Sequence, residues 1–338
     1  MNYRNDPIRG RADSPRPYGY RDRMAPVARR AGRTATVAGL VIALSLVLGV
    51  PTRNAVAQPE PTVTSTGAAP ALARDPMLGA GSTWSWRRWT ARGVRQWIEC
   101  AGSGPVTVVV IAGLHADHTM WSLVLDQFAL TTRTCIYDRP GLGNSPARSP
   151  HAVVNAGQHA DELKALLDVA RVTGPLVIVG HSYGGLVARS FVARYRSLVA
   201  GLVLIEGVAP YDRLSHYWHE GGDTVDVWRS SATAQAMRLG SIPLVVLAAE
   251  DPDRSYWGAP AYGGSASDIA DWRAHQRAAA SLSTESTFLI VRHSAHVIEV
   301  DRPDAVVASV SLLVHAIETR TRLPRCALAH YGTQPLCA

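Results

Sequence analysis

From residue 94 onwards, short apolar runs rich in Val, Ile and Leu alternate with longer amphipathic stretches. The apolar runs predict strands at Val94–Cys100, Val106–Ala112, Thr134–Tyr137, Leu176–Gly180, Leu202–Glu206, Leu244–Ala248 and Phe288–Val291. The amphipathic stretches predict helices at Asn155–Ala170, Gly184–Tyr195, Ser267–Ser281 and Pro303–Ile317. A continuously apolar strand has both faces covered, and strands separated by helices pair in parallel. The pattern therefore predicts an α/β fold: a doubly wound, mostly parallel sheet with helices on both faces. In such sheets chemistry gathers just beyond the strand ends.

The chain has 338 residues, 47% hydrophobic and 18% charged. That is enough to bury a sizeable core, and it excludes disordered and collagen-like chains. Four cysteines in this length do not make a disulfide scaffold. The formal charge of +7 suggests an acidic partner until it is located. Residues 1–57 hold ten arginines against Asp6, Asp13 and Asp22, which accounts for all of it. The neutral remainder gives no support for nucleic-acid binding.

Residues 36–50 carry no charge and follow Arg29, Arg30 and Arg33. Fifteen residues are short for a membrane-spanning helix and suit the apolar region of a signal peptide. Pro51 ends the run, and Ala55-Val56-Ala57 supplies a small-x-small cleavage site. We read 1–57 as an export signal cleaved after Ala57. An uncleaved transmembrane anchor is the alternative, and contact with a membrane is expected only through this segment. Residues 58–81, rich in Pro, Thr, Ala and Gly, read as a linker. The folded domain is expected over 82–318, followed by a tail at 319–338. In an oxidising compartment the cysteines pair. Cys326 and Cys337 bracket a ten-residue stretch of the tail, and Cys100 and Cys135 end two predicted strands. Both pairs are expected as disulfides. No C-x-x-C spacing exists to suggest a metal.

After the strand at 176–180 comes Gly180-His181-Ser182-Tyr183-Gly184-Gly185, and a helix follows. The bare G-x-S-x-G pattern is weak, but strand–turn–helix is the setting that a nucleophile elbow demands. A serine hydroxyl needs a base to take its proton. Ser294-Ala295-His296 lies just after the last predicted strand, at the same edge of the sheet as Ser182. Ser182 and His296 are the candidate nucleophile and base.

With these pieces in place the chain resembles the α/β-hydrolase superfamily over roughly residues 85–318. The resemblance rests on Ile111-Ala-Gly-Leu-His115, Tyr137-Asp-Arg-Pro-Gly-Leu-Gly-Asn-Ser145, Gly180-His-Ser-Tyr-Gly-Gly185, Leu202-Val-Leu-Ile-Glu206 and Ser294-Ala-His296. It implies an eight-stranded, mostly parallel sheet and a Ser–acid–His triad. It also implies an oxyanion hole from the backbone N–H groups of Leu114 and Tyr183, placed to stabilise a tetrahedral intermediate. Many relatives have His-Gly where this chain has Ala112-Gly113. Asp138, Arg139 and Ser145 read as loop-bracing groups. His115, Asp117 and His118 read as loop lining rather than a metal cluster, and His216 and His219 as pocket lining. The segment of about 208–241 is expected to form a short helical cap. Tyr211, Tyr217, Trp218 and Trp228 there, with Tyr256, Trp257 and Tyr262 on the 253–267 loop, would suit an apolar substrate at the pocket mouth.

The acid is open between two strand ends. Glu206 follows the strand at 202–205, as in a branch of the superfamily that includes some haloalkane dehalogenases. Asp251 and Asp253 follow the strand at 244–248, the commoner place, but Pro252 falls where relatives usually carry the Asp. Glu206 is preferred, Asp251 is the alternative and Asp253 comes third. The expected activity is that of an exported serine hydrolase, a carboxylesterase acting on small apolar acyl or aryl esters through an acyl-enzyme. A serine nucleophile argues against dehalogenase and epoxide-hydrolase chemistry, and no cofactor or metal is implied. Amide hydrolysis, transacylation or perhydrolysis on the same triad is the nearest rival, and a catalytically silent binding module is a second.

Overall fold

The computed structural model describes residues 82–209, 217–235, 237–252, 266–324 and 326–333. The expected signal or anchor at 1–57, the linker at 58–81, Cys337 and Asp253 lie outside them, as do His216, Tyr211 and the aromatics expected on the 253–267 loop. In chain order the strands begin with β1 (Ser85–Ala91), β2 (Val94–Ala101), β3 (Thr107–Ile111) and β4 (Arg133–Asp138), then β5 (Val153–Val154) and β6 (Leu176–His181). They continue with β7 (Val199–Ile205), β8 (Tyr217–Glu220), β9 (Asp223–Asp226), β10 (Leu244–Ala249), β11 (Ser286–Val291) and β12 (Gly332–Thr333). The helices are α1 (Ser122–Thr131), α2 (Ala156–Val169), α3 (Tyr183–Tyr195), α4 (Val227–Gln235), α5 (Ala266–Ala280), α6 (Ile298–Asp301) and α7 (Pro303–Thr319).

The main sheet runs β1-β2-β4-β3-β6-β7-β10-β11-β12. From β4 to β11 every pairing is parallel, and β1, β2 and β12 pair antiparallel at the margins. It is a doubly wound α/β-hydrolase sheet, with the eight expected strands and a ninth. That ninth, β12, comes from the tail, whose Leu323 and Leu328 pack into the core. The tail is thus ordered by more than a disulfide.

Alternation along the central strands assigns each face. In β7, Leu202 and Leu204 join the core under α2, α3 and α5. Val203 and Ile205 join the opposite core, under α1 and α7. Period-2 alternation between two apolar layers is why these strands read as unbroken apolar runs. Cys100 on β2 and Cys135 on β4 face each other in register and form a disulfide. Cys326 is disulfide-bonded as well.

The segment expected as a helical cap is mixed. Its described part contains the β8–β9 hairpin followed by α4, and β9 pairs with β5 in a small second sheet. Among the described residues no helix is long and apolar enough to cross a membrane.

Candidate active site

Three strand ends meet at one edge of the sheet. After β6 the chain turns sharply into α3, and Ser182 takes φ 51°, outside the range that side-chain-bearing residues prefer. Such strain persists only where surrounding contacts over-determine it. Here the Ser182 N–H donates to the Ile205 carbonyl at 3.0 Å. The Ser182 carbonyl accepts from the N–H groups of Gly185 and Val208, at 2.9 and 3.0 Å. Gly184 lets strand and helix close up, because a Cβ there would overlap the Ile111 and Ala112 carbonyls. The elbow is therefore tied to the turn that follows β7.

That turn carries Glu206, itself at φ 45°, with its side chain wholly buried. Its Oε1 accepts from the Ala249 N–H at 2.7 Å, and its Oε2 accepts from the Trp272 indole N–H at 2.9 Å. Beyond β11, bonds at Ser294 and Ala295 brace the loop carrying His296. The Ser294 hydroxyl donates to the Val291 carbonyl at 2.8 Å, and the Ala295 N–H donates to Asp301 Oδ2 at 2.6 Å. The Asp251 N–H donates to the Ser294 carbonyl at 3.1 Å. His296 Nε2 lies 3.0 Å from Ser182 Oγ, and His296 Nδ1 lies 3.3 Å from Glu206 Oε2.

The structure thus brings Ser182, His296 and Glu206 together. Asp251, the alternative acid, is exposed at the end of β10 and supports the histidine loop with its peptide N–H. Burial acts on both titrating groups in the same sense, towards the uncharged form. It pushes Glu206 up to about 8 and His296 down to about 4. At Glu206 the Ala249 and Trp272 donors oppose it, since both bind the carboxylate. At His296 burial favours the unprotonated ring, the form a base needs.

His181 lies behind this group. Its Nε2 donates to the His296 carbonyl at 2.9 Å, and its Nδ1 faces Glu299 Oε1 at 3.1 Å. Burial, with His296 beside it, lowers His181 to about 3, and burial raises Glu299 to about 8.

Leu114 and Ser182 line one cavity of about 690 Å³. Tyr183 opens α3, so its peptide N–H belongs to a first turn that has no intrahelical acceptor. Ala116, Met120, Val208, Trp218 and Val297 give the cavity apolar walls, and His115, Asp117 and Thr119 line it as well. Three sequence expectations are corrected here. His219 is exposed on β8 rather than lining the cavity. Tyr217 and Trp228 are 57% and 71% exposed, so of the described aromatics expected in the cap only Trp218 reaches the pocket. His118 does not join the cavity; its Nδ1 lies 2.9 Å from Asp138 Oδ2 and its ring packs on Trp97. Two residues that sequence reasoning missed, Trp272 and Glu220, hold the site from distant segments. A single Trp in the 267–281 stretch was the only signal for the first.

Residues 106–235 match the family model described as alpha/beta hydrolase fold. The Bacillus subtilis (strain 168) protein YqjL is 25% identical over 223 residues, 61% of this chain and 82% of that protein. An AB hydrolase superfamily protein of Gibberella zeae is 35% identical over 108 residues, which span only 32% of its length and 30% of this chain. Among solved structures, a thermophilic esterase from Thermogutta terrifontis superposes with a TM-score of 0.52 at 18% identity, over 69% of this chain and 99% of that one. The matched segment holds the elbow and the helix behind it, and the strands that follow complete the same sheet: the chain has the α/β-hydrolase fold.

Proposed function

We propose that the protein is an exported serine hydrolase that cleaves small apolar acyl or aryl esters through an acyl-enzyme. The observation that carries this reading is the chain of contacts from Ser182 Oγ through His296 to Glu206, 3.0 and 3.3 Å long, at the wall of an apolar cavity. His296 Nε2 takes the hydroxyl proton as Ser182 Oγ bonds to the acyl carbon. Glu206 fixes the tautomer that leaves Nε2 free to accept it, and it stabilises the imidazolium. The N–H groups of Leu114 and Tyr183 bind the oxyanion. Collapse breaks the bond to the leaving oxygen, which receives the proton from His296. Water then repeats the sequence on the acyl-enzyme and frees Ser182. Export is supported by the charged and apolar leader and by the Cys100–Cys135 disulfide, a bond that persists outside reducing compartments.

A p-nitrophenyl ester series tests the substrate class. With about 690 Å³ available, kcat/KM should rise from acetate to medium-length acyl chains. Each buried methylene contributes about 0.8 kcal/mol until the cavity is full. A flat or falling series, or turnover of anilides in preference to esters, would contradict the proposal.

A further inference from the structure

One buried ion pair joins the β8–β9 hairpin to the loop beneath the oxyanion site. Arg139 follows β4 and Glu220 ends β8, and both side chains are 2% exposed. Arg139 Nε and Nη2 donate to the two Glu220 oxygens at 2.7 and 2.8 Å. The same guanidinium donates from Nη1 to the Ala112 carbonyl at 2.7 Å and from Nη2 to the Gly113 carbonyl at 2.5 Å. Glu220 Oε1 in turn accepts from the His115 N–H at 2.8 Å. Three successive peptides, 112 to 115, are thus fixed by one pair.

The consequence follows from peptide geometry. In a planar trans peptide the C=O and the next N–H point in opposite directions. With the Gly113 carbonyl held against Arg139, the Leu114 N–H is aimed away from the guanidinium, and Leu114 lines the same cavity as Ser182. The guanidinium also lies 5.4 Å from the centre of the Tyr183 ring, the side chain of the residue that carries the second donor N–H. The hairpin packs closely on the turn that follows Arg139. Gly221 and Gly141, both at positive φ, meet backbone to backbone, and a Cβ on Gly221 would overlap the Pro140 carbonyl.

We propose that Arg139 and Glu220 are positioning residues for the oxyanion hole, so that the hairpin inserted after β7 sets the aim of the Leu114 donor. The inference rests on the reading of Ser182 and Leu114 above. A buried guanidinium and carboxylate are costly to desolvate, and replacing such a pair by apolar residues is often neutral or stabilising. What an apolar pair cannot supply is the two donors for Ala112 and Gly113 and the acceptor for His115.

The experiment compares Arg139→Met/Glu220→Leu and Gly221→Ala with the wild-type full chain. Activity is expressed per site titrated by a fluorophosphonate, so that only folded enzyme is counted. Both variants should lose about 10² to 10³ in kcat, the loss expected for a displaced oxyanion donor, with KM changed less than about threefold. A boronic acid that forms a tetrahedral adduct should weaken by a similar factor, while a carboxylate product should bind as before. Wild-type kcat per titrated site in either variant, or a loss confined to KM, would overturn the inference. Failure of the underlying reading is separate: it would show as wild-type protein that the fluorophosphonate does not label at Ser182.

Discussion

Glu206 reads as a carboxylate because two fixed N–H donors hold its oxygens. Ala249 N–H and Trp272 Nε1–H bind its two oxygens, and His296 Nδ1 faces Oε2. With the carboxylate ionised, Nδ1 can meet Oε2 only as a donor. The arrangement therefore orders the imidazole with its hydrogen on Nδ1 and its lone pair towards Ser182. Glu206→Gln keeps the shape but offers an amide that can present N–H to the ring and stabilise the wrong tautomer. Loss of this partner should cost about 10⁴ in kcat while folding survives. Asp251→Asn should cost tenfold or less, because that side chain is exposed and only its peptide N–H is used. The two variants are compared by ester kinetics, with circular dichroism to confirm folding. The reverse ranking would place the acid after β10.

At the scale of elements, legibility followed burial. Six strands buried along most of their length, β3, β4, β6, β7, β10 and β11, carried mainly apolar runs and were visible in the sequence. So were β2, despite Arg95, Gln96 and Glu99, and the four longest helices. What the pattern hid had physical reasons. β1 is an edge strand with most positions exposed, and Arg87 and Arg88 interrupt its tryptophans. α1 shows Leu123 and Leu130 to solvent, 47% and 62% exposed, which blurs its apolar face. β8 and β9 are four residues each and largely polar, and β12 is two residues long. The candidate site was legible where a residue's chemistry is tied to a strand end, as at Ser182, Glu206 and His296. It was not legible where the contact is purely tertiary. Trp272 meets Glu206 across 66 positions and Glu220 meets Arg139 across 81. No local pattern encodes either meeting. The choice between Glu206 and Asp251 stayed open for a related cause. Only the turn at φ 45° directs the glutamate inward, and sequence does not display that angle.

Over the whole molecule, the buried titratable groups make stability depend on pH from both sides. Burial lowers His159 and His296 to about 4 and His181 to about 3. These rings stay neutral in the fold while the unfolded chain takes up protons near 6.5, so their contribution, complete above 6.5, is lost as pH falls. Burial raises Glu299 to about 8. Its native form keeps a proton that the unfolded chain releases near 4.5, so its contribution, complete below 4.5, is lost as pH rises to 8. Between 4.5 and 6.5 the three rings outweigh the one carboxyl. Urea unfolding should therefore find greatest stability near pH 6.5. Each ring contributes up to about 1.4 kcal/mol per pH unit as pH falls, until the folded ring also takes up its proton, at about 4 for His159 and His296 and about 3 for His181. Stability that climbs steadily from pH 6 to pH 8.5 would contradict this burial pattern.

The proposed chemistry turns on one oxygen atom, Ser182 Oγ. The full chain is treated with a fluorophosphonate, the adduct is located by peptide mass spectrometry, and ester turnover is followed in the same samples beside Ser182→Ala. A single adduct should form on Ser182 in step with loss of activity. The variant should take no adduct, and its kcat should fall by about three to six orders of magnitude. An adduct on another residue, or a folded variant that still hydrolyses esters at near wild-type rate, would contradict this chemistry.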